Sequence, residues 1–283
     1  MKIFRTIKEQ QNYSKKEKFQ NIKIALVPTM GFLHEGHLSL IGKARENADK
    51  IIVSIFVNPT QFGEGEDYEK YPRDEMKDLE LLREKNVDAV FIPEAVEMYP
   101  EGFKTFCEVE ELSKKYCGES RPDHFRGVAT VVLKLFNITK PDVAIFGEKD
   151  YQQYIIIKKM TEDLNLPIEI IPSPIVREED GLALSSRNIY LESEQRKEAA
   201  VVYQSLIMAK EMVDEGEKNV GLLKGKMAGL IRAKKYTRID YIEFVDLRTL
   251  EKVEKVESPT RIIMAVWVGK ARLIDNMEIR PKR

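Results

Sequence analysis

The order of apolar segments predicts an α/β protein: a parallel sheet with helices on both faces, followed by a smaller α+β domain. Three observations carry this. Short, nearly continuous apolar runs at residues 22–27, 50–58, 87–92, 143–146 and 168–171 read as strands buried on both faces. Segments of helical period separate most of them, so the economical topology is parallel with right-handed crossovers. After Ile171 the pattern changes, with Pro172 and Pro174 marking a junction, two long helical segments following, and three strand-like runs closing the chain. The boundary falls near residue 175, giving a larger domain over 1–175 and a smaller domain over 176–283.

In chain order, the first strand at 22–27 leads through a short turn into a helix over 38–48, where Leu38, Ile41, Ala44 and Ala48 recur at helical spacing. Residues 50–58 form the second strand, ending in Asn58-Pro59-Thr60-Gln61-Phe62. Tyr71-Pro72-Arg73-Asp74 opens a helix with Met76, Leu79 and Leu82 on one face. The third strand is 87–92, and 93–112 carries no clear period. Arg121 to Gly127 is a polar turn, residues 128–138 an apolar helix, and 143–146 the fourth strand, ending in Gly147-Glu148-Lys149-Asp150-Tyr151-Gln152-Gln153. A helix to about Leu164 and the fifth strand, 168–171, complete the sheet. Beyond the junction, residues 177–188 read as a polar loop. One helix runs from an N-cap at Ser193 to about Glu215, a second from Asn219 to about Arg232, and strands over 239–245, 261–268 and 272–275 form a small antiparallel sheet.

The richest stretch is Pro28-Thr29-Met30-Gly31-Phe32-Leu33-His34-Glu35-Gly36-His37. A strand there delivers two of the chain's three histidines to a helix start, where free backbone N–H groups and the positive end of the helix dipole suit an anion, phosphate above all. His34 and His37 are spaced i, i+3, which admits zinc; the metalloprotease helix needs H-E-x-x-H, and this string is one residue short. Ligands in open α/β sheets bind outside the carboxyl ends of strands. His34 and His37, Asn58 and Gln61, and Lys149, Asp150 and Gln153 all fall at such ends.

Global properties bound the function. The 283 residues suffice for one large or two ordinary domains, and 43% hydrophobic content supports a substantial core. A net charge of −1 gives no electrostatic case for nucleic acid or membrane. Cys107 and Cys117 match neither a Cys-x-x-Cys pair nor a disulfide framework, so reduced thiols and a cytoplasmic location are expected. The N-terminal segment is polar and Lys-rich, unlike a signal peptide, and no apolar run approaches the ~18 residues of a transmembrane helix. Charged residues reach 33%, a level compatible with surface ion-pair networks. There is no Walker A loop, the string Gly221 to Lys226 having the wrong spacing, and no G-x-G-x-x-G after the first strand. A nucleotide would have to be held by the histidine turn, Lys149, Ser185, Ser186 and Arg187. Such residues suit a reaction at an α-phosphate, where positive groups stabilise the pentavalent transition state.

Four blocks together resemble one family. Pro28 to Gly31 with His34 to His37, Phe56-Val57-Asn58-Pro59 with Gln61-Phe62, Phe146 to Gln153, and Leu184-Ser185-Ser186-Arg187-Asn188 are similar in order and spacing to the pantoate–β-alanine ligases. The likeness implies a Rossmann-like nucleotidyltransferase fold with a HIGH-type motif at His34-Glu35-Gly36-His37 and a counterpart of the KMSKS loop at Ser185-Ser186-Arg187. It implies an ATP-dependent ligase acting through pantoyl adenylate, with AMP and pyrophosphate released. By resemblance, Met30, Gly31, Phe32, Leu33, His34, Glu35, Gly36, His37, Gly147, Glu148, Lys149, Asp150, Val176, Leu184, Ser185, Ser186 and Arg187 line the ATP site. Catalytic roles fall to His34, His37 (the proton donor of the family pattern), Lys149 and Arg187. Gln61, Gln153, Asn58, His124 and Arg121 would serve pantoate and β-alanine. Mg2+ would be carried by the ATP phosphates, with Asp78 a candidate protein ligand and the ligand set otherwise open. The family also implies a homodimer. Three other classes have discriminating features: an adenylyltransferase that keeps AMP in its product needs no β-alanine site, a noncatalytic nucleotide sensor would have lost Lys149 or a histidine, and an aminoacyl-tRNA synthetase needs a large basic RNA-binding region.

Overall fold

The structure, a computed structural model, describes residues 1–282. Nine strands, β1 (Lys2–Phe4), β2 (Ile24–Thr29), β3 (Lys50–Ile55), β4 (Ala89–Phe91), β5 (Val143–Gly147), β6 (Glu169–Ser173), β7 (Thr237–Asp246), β8 (Thr260–Val268) and β9 (Ala271–Ile279), alternate with or follow ten α-helices. The helices are α1 (Ile7–Phe19), α2 (Glu35–Arg45), α3 (Glu75–Glu84), α4 (Ala95–Met98), α5 (Cys117–Ser120), α6 (His124–Thr139), α7 (Tyr151–Asp163), α8 (Ser193–Ala199), α9 (Val201–Asp214) and α10 (Val220–Arg232). The chain divides into two compact units: Met1–Gly147 with Gln152–Pro174, and Glu148–Tyr151 with the residues from Ile175 onward.

The first unit is built on a six-stranded parallel sheet in the order β1-β4-β3-β2-β5-β6. Strand order reverses between β2 and β5, the topological switch point at which such sheets bind ligands. Both strands are apolar along their length because neighbours and helices cover both faces; Ile24, Ala25, Leu26, Val27, Val143, Ala144 and Ile145 are fully buried. Pro28 sits in β2 although it lacks a donor. Pairing of β2 with β5 is confined to Ala25 and Leu26, so at Pro28 the strand has only β3 beside it. That early parting opens the switch point.

Five strands of the sheet match the sequence reading. The sixth, β1, and the helix α1 lie in the polar N-terminal segment and show no apolar period. β1 forms by parallel pairing with β4, and α1 rests on a capping box, in which Glu9 N–H donates to Thr6 Oγ1 at 3.3 Å and Thr6 N–H to Glu9 Oε2 at 3.1 Å, and on buried polar groups such as Gln10, whose Nε2 bonds Ser14 Oγ at 3.0 Å. Met76, expected on the apolar face of α3, is 77% exposed; the buried face is Asp78, Leu79 and Leu82. A carboxylate occupies an inward position there for a reason that appears at the site.

The second unit packs α9 and α10 against the antiparallel sheet β7-β8-β9 around Leu206, Leu223, Met227, Phe244 and Val266. The helix expected over 193–215 is two, α8 and α9, meeting at Ala200, whose ψ of −21° has the tighter 3₁₀ character. Its N-cap is Glu192 rather than Ser193, and Gln195 Oε1 accepts from Glu192 N–H at 3.2 Å. β9 continues to Ile279, past the expected end at Asp275. Among the described residues no helix is long and apolar enough to cross a membrane.

Candidate active site

The turn after β2 is shaped by two consecutive left-handed residues, Gly31 (φ +81°) and Phe32 (φ +51°). Glycine is needed first, because a Cβ at Gly31 would lie 3.0 Å from both Asp78 Oδ2 and Ile55 Cγ2. Phe32 in this region costs roughly 1–2 kcal/mol. The cost is offset by Asp78, 2% exposed, whose carboxylate accepts from Phe32 N–H at 2.8 Å and Leu33 N–H at 2.7 Å. Burial pushes the Asp78 carboxyl up, and the two backbone bonds pull only partly against it. Asp78→Ala should therefore lower stability by about 1–3 kcal/mol per orphaned donor, read by urea unfolding, and slow ATP-dependent chemistry through the displaced turn. An unchanged unfolding midpoint would refute this role.

The turn ends in His34, the N-cap of α2. His34 Nδ1 accepts from Gly36 N–H at 3.2 Å, and His37 Nδ1 accepts from His34 N–H at 3.4 Å. The two rings lie 4.1 Å apart, centroid to centroid. Since each Nδ1 is an acceptor, each neutral ring carries its proton on Nε2. The pair thus caps a helix reciprocally and presents two N–H donors where the helix dipole already favours an anion.

Asn58, Gln61, Arg121 and His124 form a second group in the same unit. Asn58 caps the short 3₁₀ turn Pro59–Gln61. Its Nδ2 donates to Gln61 Oε1 at 3.0 Å and Gly127 O at 3.2 Å, while Oδ1 accepts from Thr60 Oγ1 at 3.0 Å and Tyr99 OH at 2.8 Å. Both amide hydrogens are used, so Asn58 sets which way the Gln61 amide faces. Gln61 Nε2 reaches Met30 Sδ at 3.1 Å, linking this group to the histidine turn. His124 donates from Nδ1 to Gln61 O at 2.7 Å and accepts at Nε2 from Arg121, 3.1 Å away. Arg121 pairs with both oxygens of Glu66 at 2.7 and 2.6 Å. Burial alone would raise the Glu66 carboxyl, but the Arg121 guanidinium outweighs it and holds the group below the ordinary carboxylate range. Asn58, Arg121 and His124, expected among the substrate contacts, thus have bonds that fix Gln61. Gly127 permits the close approach of α6, since a Cβ there would lie 2.2 Å from Thr60 O. Gln153 lies in α7, half-buried.

The remaining predicted residues fall in the second unit, Gly147 excepted. Lys149 stands in a 3₁₀ turn, Glu148–Asp150, with Nζ 3.2 Å from Asp150 Oδ2. The segment read as a polar loop is a hairpin followed by the 3₁₀ helix Ser186–Tyr190. Leu184 N–H donates to Val176 O at 3.0 Å, joining two residues expected at the ATP site, and Arg177 pairs with Ala183 across the same hairpin. Ser185 caps the 3₁₀ helix, its Oγ accepting from Arg187 N–H at 3.3 Å. Arg196 clamps the hairpin through Glu178 (2.6 Å) and Asp180 (2.5 Å). Among the described residues no group of three or more His, Cys, Asp or Glu side chains is arranged to hold a metal ion.

Residues 2–278 match the family model described as pantoate-beta-alanine ligase. A pantothenate synthetase from Caldicellulosiruptor bescii is 54% identical over 282 residues, covering 100% of both chains. One from Thermotoga neapolitana is 53% identical over 276 residues, covering 98% of this chain and 99% of its own. Among solved structures, pantothenate synthetase from Thermus thermophilus superposes with a TM-score of 0.95 at 44% identity, covering 99% of this chain and 100% of that one. The pantoate-beta-alanine ligase from Francisella tularensis, complexed with beta-gamma ATP and beta-alanine, has a TM-score of 0.82 at 38% identity, with 98% and 97% covered. With the likeness running the length of both partners, and a histidine-capped helix following the strand at the switch point, the chain belongs to the pantoate–β-alanine ligase family.

Proposed function

We propose that this protein joins pantoate to β-alanine at the expense of ATP, through pantoyl adenylate. The observation that carries the reading is the reciprocal cap of His34 and His37, two Nε2–H donors at a helix start, with Gln61 joined to the same turn through Met30. In the first half-reaction a pantoate carboxylate oxygen attacks the α-phosphorus of ATP. A P–O bond forms, the bond to the β-phosphate bridging oxygen breaks, and pyrophosphate leaves. Charge accumulates on the α-phosphate oxygens, where His34, His37, Lys149 and Arg187 would supply N–H donors already oriented. In the second, the neutral amine of β-alanine attacks the acyl carbon, the C–N bond forms, and AMP departs with the C–O bonding pair while the amine loses a proton. AMP is a far better leaving group than hydroxide, which is why adenylation comes first.

Met30 to His37, Gly147 to Asp150, Val176 and Leu184 to Arg187 are assigned to ATP. Gln61 and Gln153 are assigned to pantoate, whose hydroxyls and carboxylate match the mixed donors and acceptors of amides. Asn58, Arg121 and His124 act by holding Gln61. The Francisella complex with beta-gamma ATP and beta-alanine supports these two substrates. Both oxygens of Asp78 serve the turn, so Mg2+ would be carried by the ATP phosphates and would supply neutralisation of their charge. A homodimer, a cytoplasmic location and a lid role for residues 176–283 belong to the same reading. Exclusion of water from a reactive acyl adenylate is the reason a lid is needed.

The test is isotope exchange of pyrophosphate into ATP. Pantoate alone should support it and β-alanine alone should not. Labelled oxygen from the pantoate carboxylate should appear in AMP, and its absence there would exclude the adenylate.

A further inference from the structure

Lys149 lies in a three-residue turn between the end of β5 and the start of α7. Its backbone is held in addition from β9. Asn276, 2% exposed, donates from Nδ2 to Glu148 O at 2.8 Å and to Lys149 O at 3.1 Å. Its Oδ1 accepts from Arg261 Nη1 at 3.0 Å, which fixes the orientation of the amide. Arg261, 6% exposed, continues to the Glu148 carboxylate at 3.3 Å and stacks on the Tyr151 ring at 4.0 Å. The preceding residue, Asp275, is 3% exposed and binds Arg177 through both oxygens, at 2.6 and 2.9 Å. Arg177 also donates to Gly181 O at 3.0 Å, inside the hairpin that leads to Ser185, Ser186 and Arg187. Two adjacent buried residues of one strand therefore tie down both segments of this unit that carry side chains assigned to ATP.

We propose that Asn276 is a positioning residue for adenylation, setting the backbone from which Lys149 reaches the α-phosphate, with Asp275 fixing the 177–188 hairpin in the same frame through Arg177. The inference rests on the reading of Lys149 as an α-phosphate clamp. A lysine has four rotatable bonds, and play in its backbone adds to the spread of positions its ammonium can take. Displacement of a reacting group by about 1 Å costs on the order of 10²-fold in rate.

Asn276→Asp separates the roles. The carboxylate keeps the Arg261 contact and the shape, but offers lone pairs to two carbonyl oxygens where two N–H bonds were. Three rates are read: single-turnover formation of pantoyl adenylate, pyrophosphate–ATP exchange, and consumption of preformed pantoyl adenylate by β-alanine. Adenylate formation should fall about 10²-fold, with the KM for pantoate unchanged and consumption of preformed adenylate nearly intact. Asn276→Ser, which keeps one O–H donor, should recover part of the rate, and it carries the same test if the aspartate variant does not fold. In a Lys149→Ala background, Asn276→Asp should add almost nothing, because residues acting through one group are not additive. Equal slowing of both half-reactions, or a full additional loss in the Lys149→Ala background, would mean that Asn276 serves general stability and would overturn the proposal. Lys149→Ala slow with Asn276→Asp at the wild-type rate overturns it alone. Lys149→Ala at the full adenylation rate overturns the clamp reading and this inference with it.

Discussion

Lys149→Ala is expected to slow formation of pantoyl adenylate by about 10²–10³-fold, the scale of losing one donor aimed at transition-state charge. Lys149 is only partly exposed, with Nζ 3.2 Å from Asp150 Oδ2, so its ammonium already stands in a carboxylate's field before ATP enters. Removing it leaves the fold little to lose, because this pair is short-range and partly solvated. Binding of preformed pantoyl adenylate should survive far better than its synthesis, since the adenylate no longer carries the charge that develops at the α-phosphorus. Single-turnover quenching with labelled ATP separates the two. A variant that forms adenylate at the wild-type rate removes Lys149 from the clamp.

His37 gives the second large effect, and the structure supplies two substitutions that divide it. His37 Nδ1 accepts from His34 N–H, so the ring both caps α2 and carries an Nε2–H donor. His37→Asn keeps an acceptor near the Nδ1 position and loses the outer donor. His37→Ala loses both. Each should slow adenylation by about 10²–10³-fold. Only the alanine variant should also lose about 1 kcal/mol of stability, the usual worth of a cap. Thermal unfolding and pyrophosphate exchange measured on both variants test the division. Full adenylation by His37→Asn would reduce the residue to a structural cap.

The strands were legible because burial on both faces leaves an apolar run that few other structures produce. β3 and β4 lie within the runs at 50–58 and 87–92, and β5 covers 143–146 and one residue more. The histidine turn was legible too, since a strand running into His-Glu-Gly-His leaves little choice but a capped helix start. β1 and α1 were not: a three-residue strand and a helix whose inward positions include Gln10, Ser14 and Glu17 carry no period to detect. Met76 was misplaced because its face of α3 was taken as apolar, while the position that turns inward holds Asp78 to bond the distant Gly31–Leu33 turn.

By itself, then, the sequence determined the fold class and, through four short strings, the family resemblance, because periodicity and local motifs are properties of neighbours along the chain. What only the tertiary structure decided is how those strings are held. Asn58 orients Gln61 in concert with Gly127, 69 residues away; His124 and Arg121 bond the Gln61 carbonyl; and Asn276 grips Lys149 from 127 residues away. Ending β9 at Asp275 in the sequence reading left Asn276 outside any element. A side chain that donates to a remote backbone carbonyl has no partner residue type to match, since every residue carries that carbonyl. Such bonds leave no pattern in the sequence and exist only once the chain has folded.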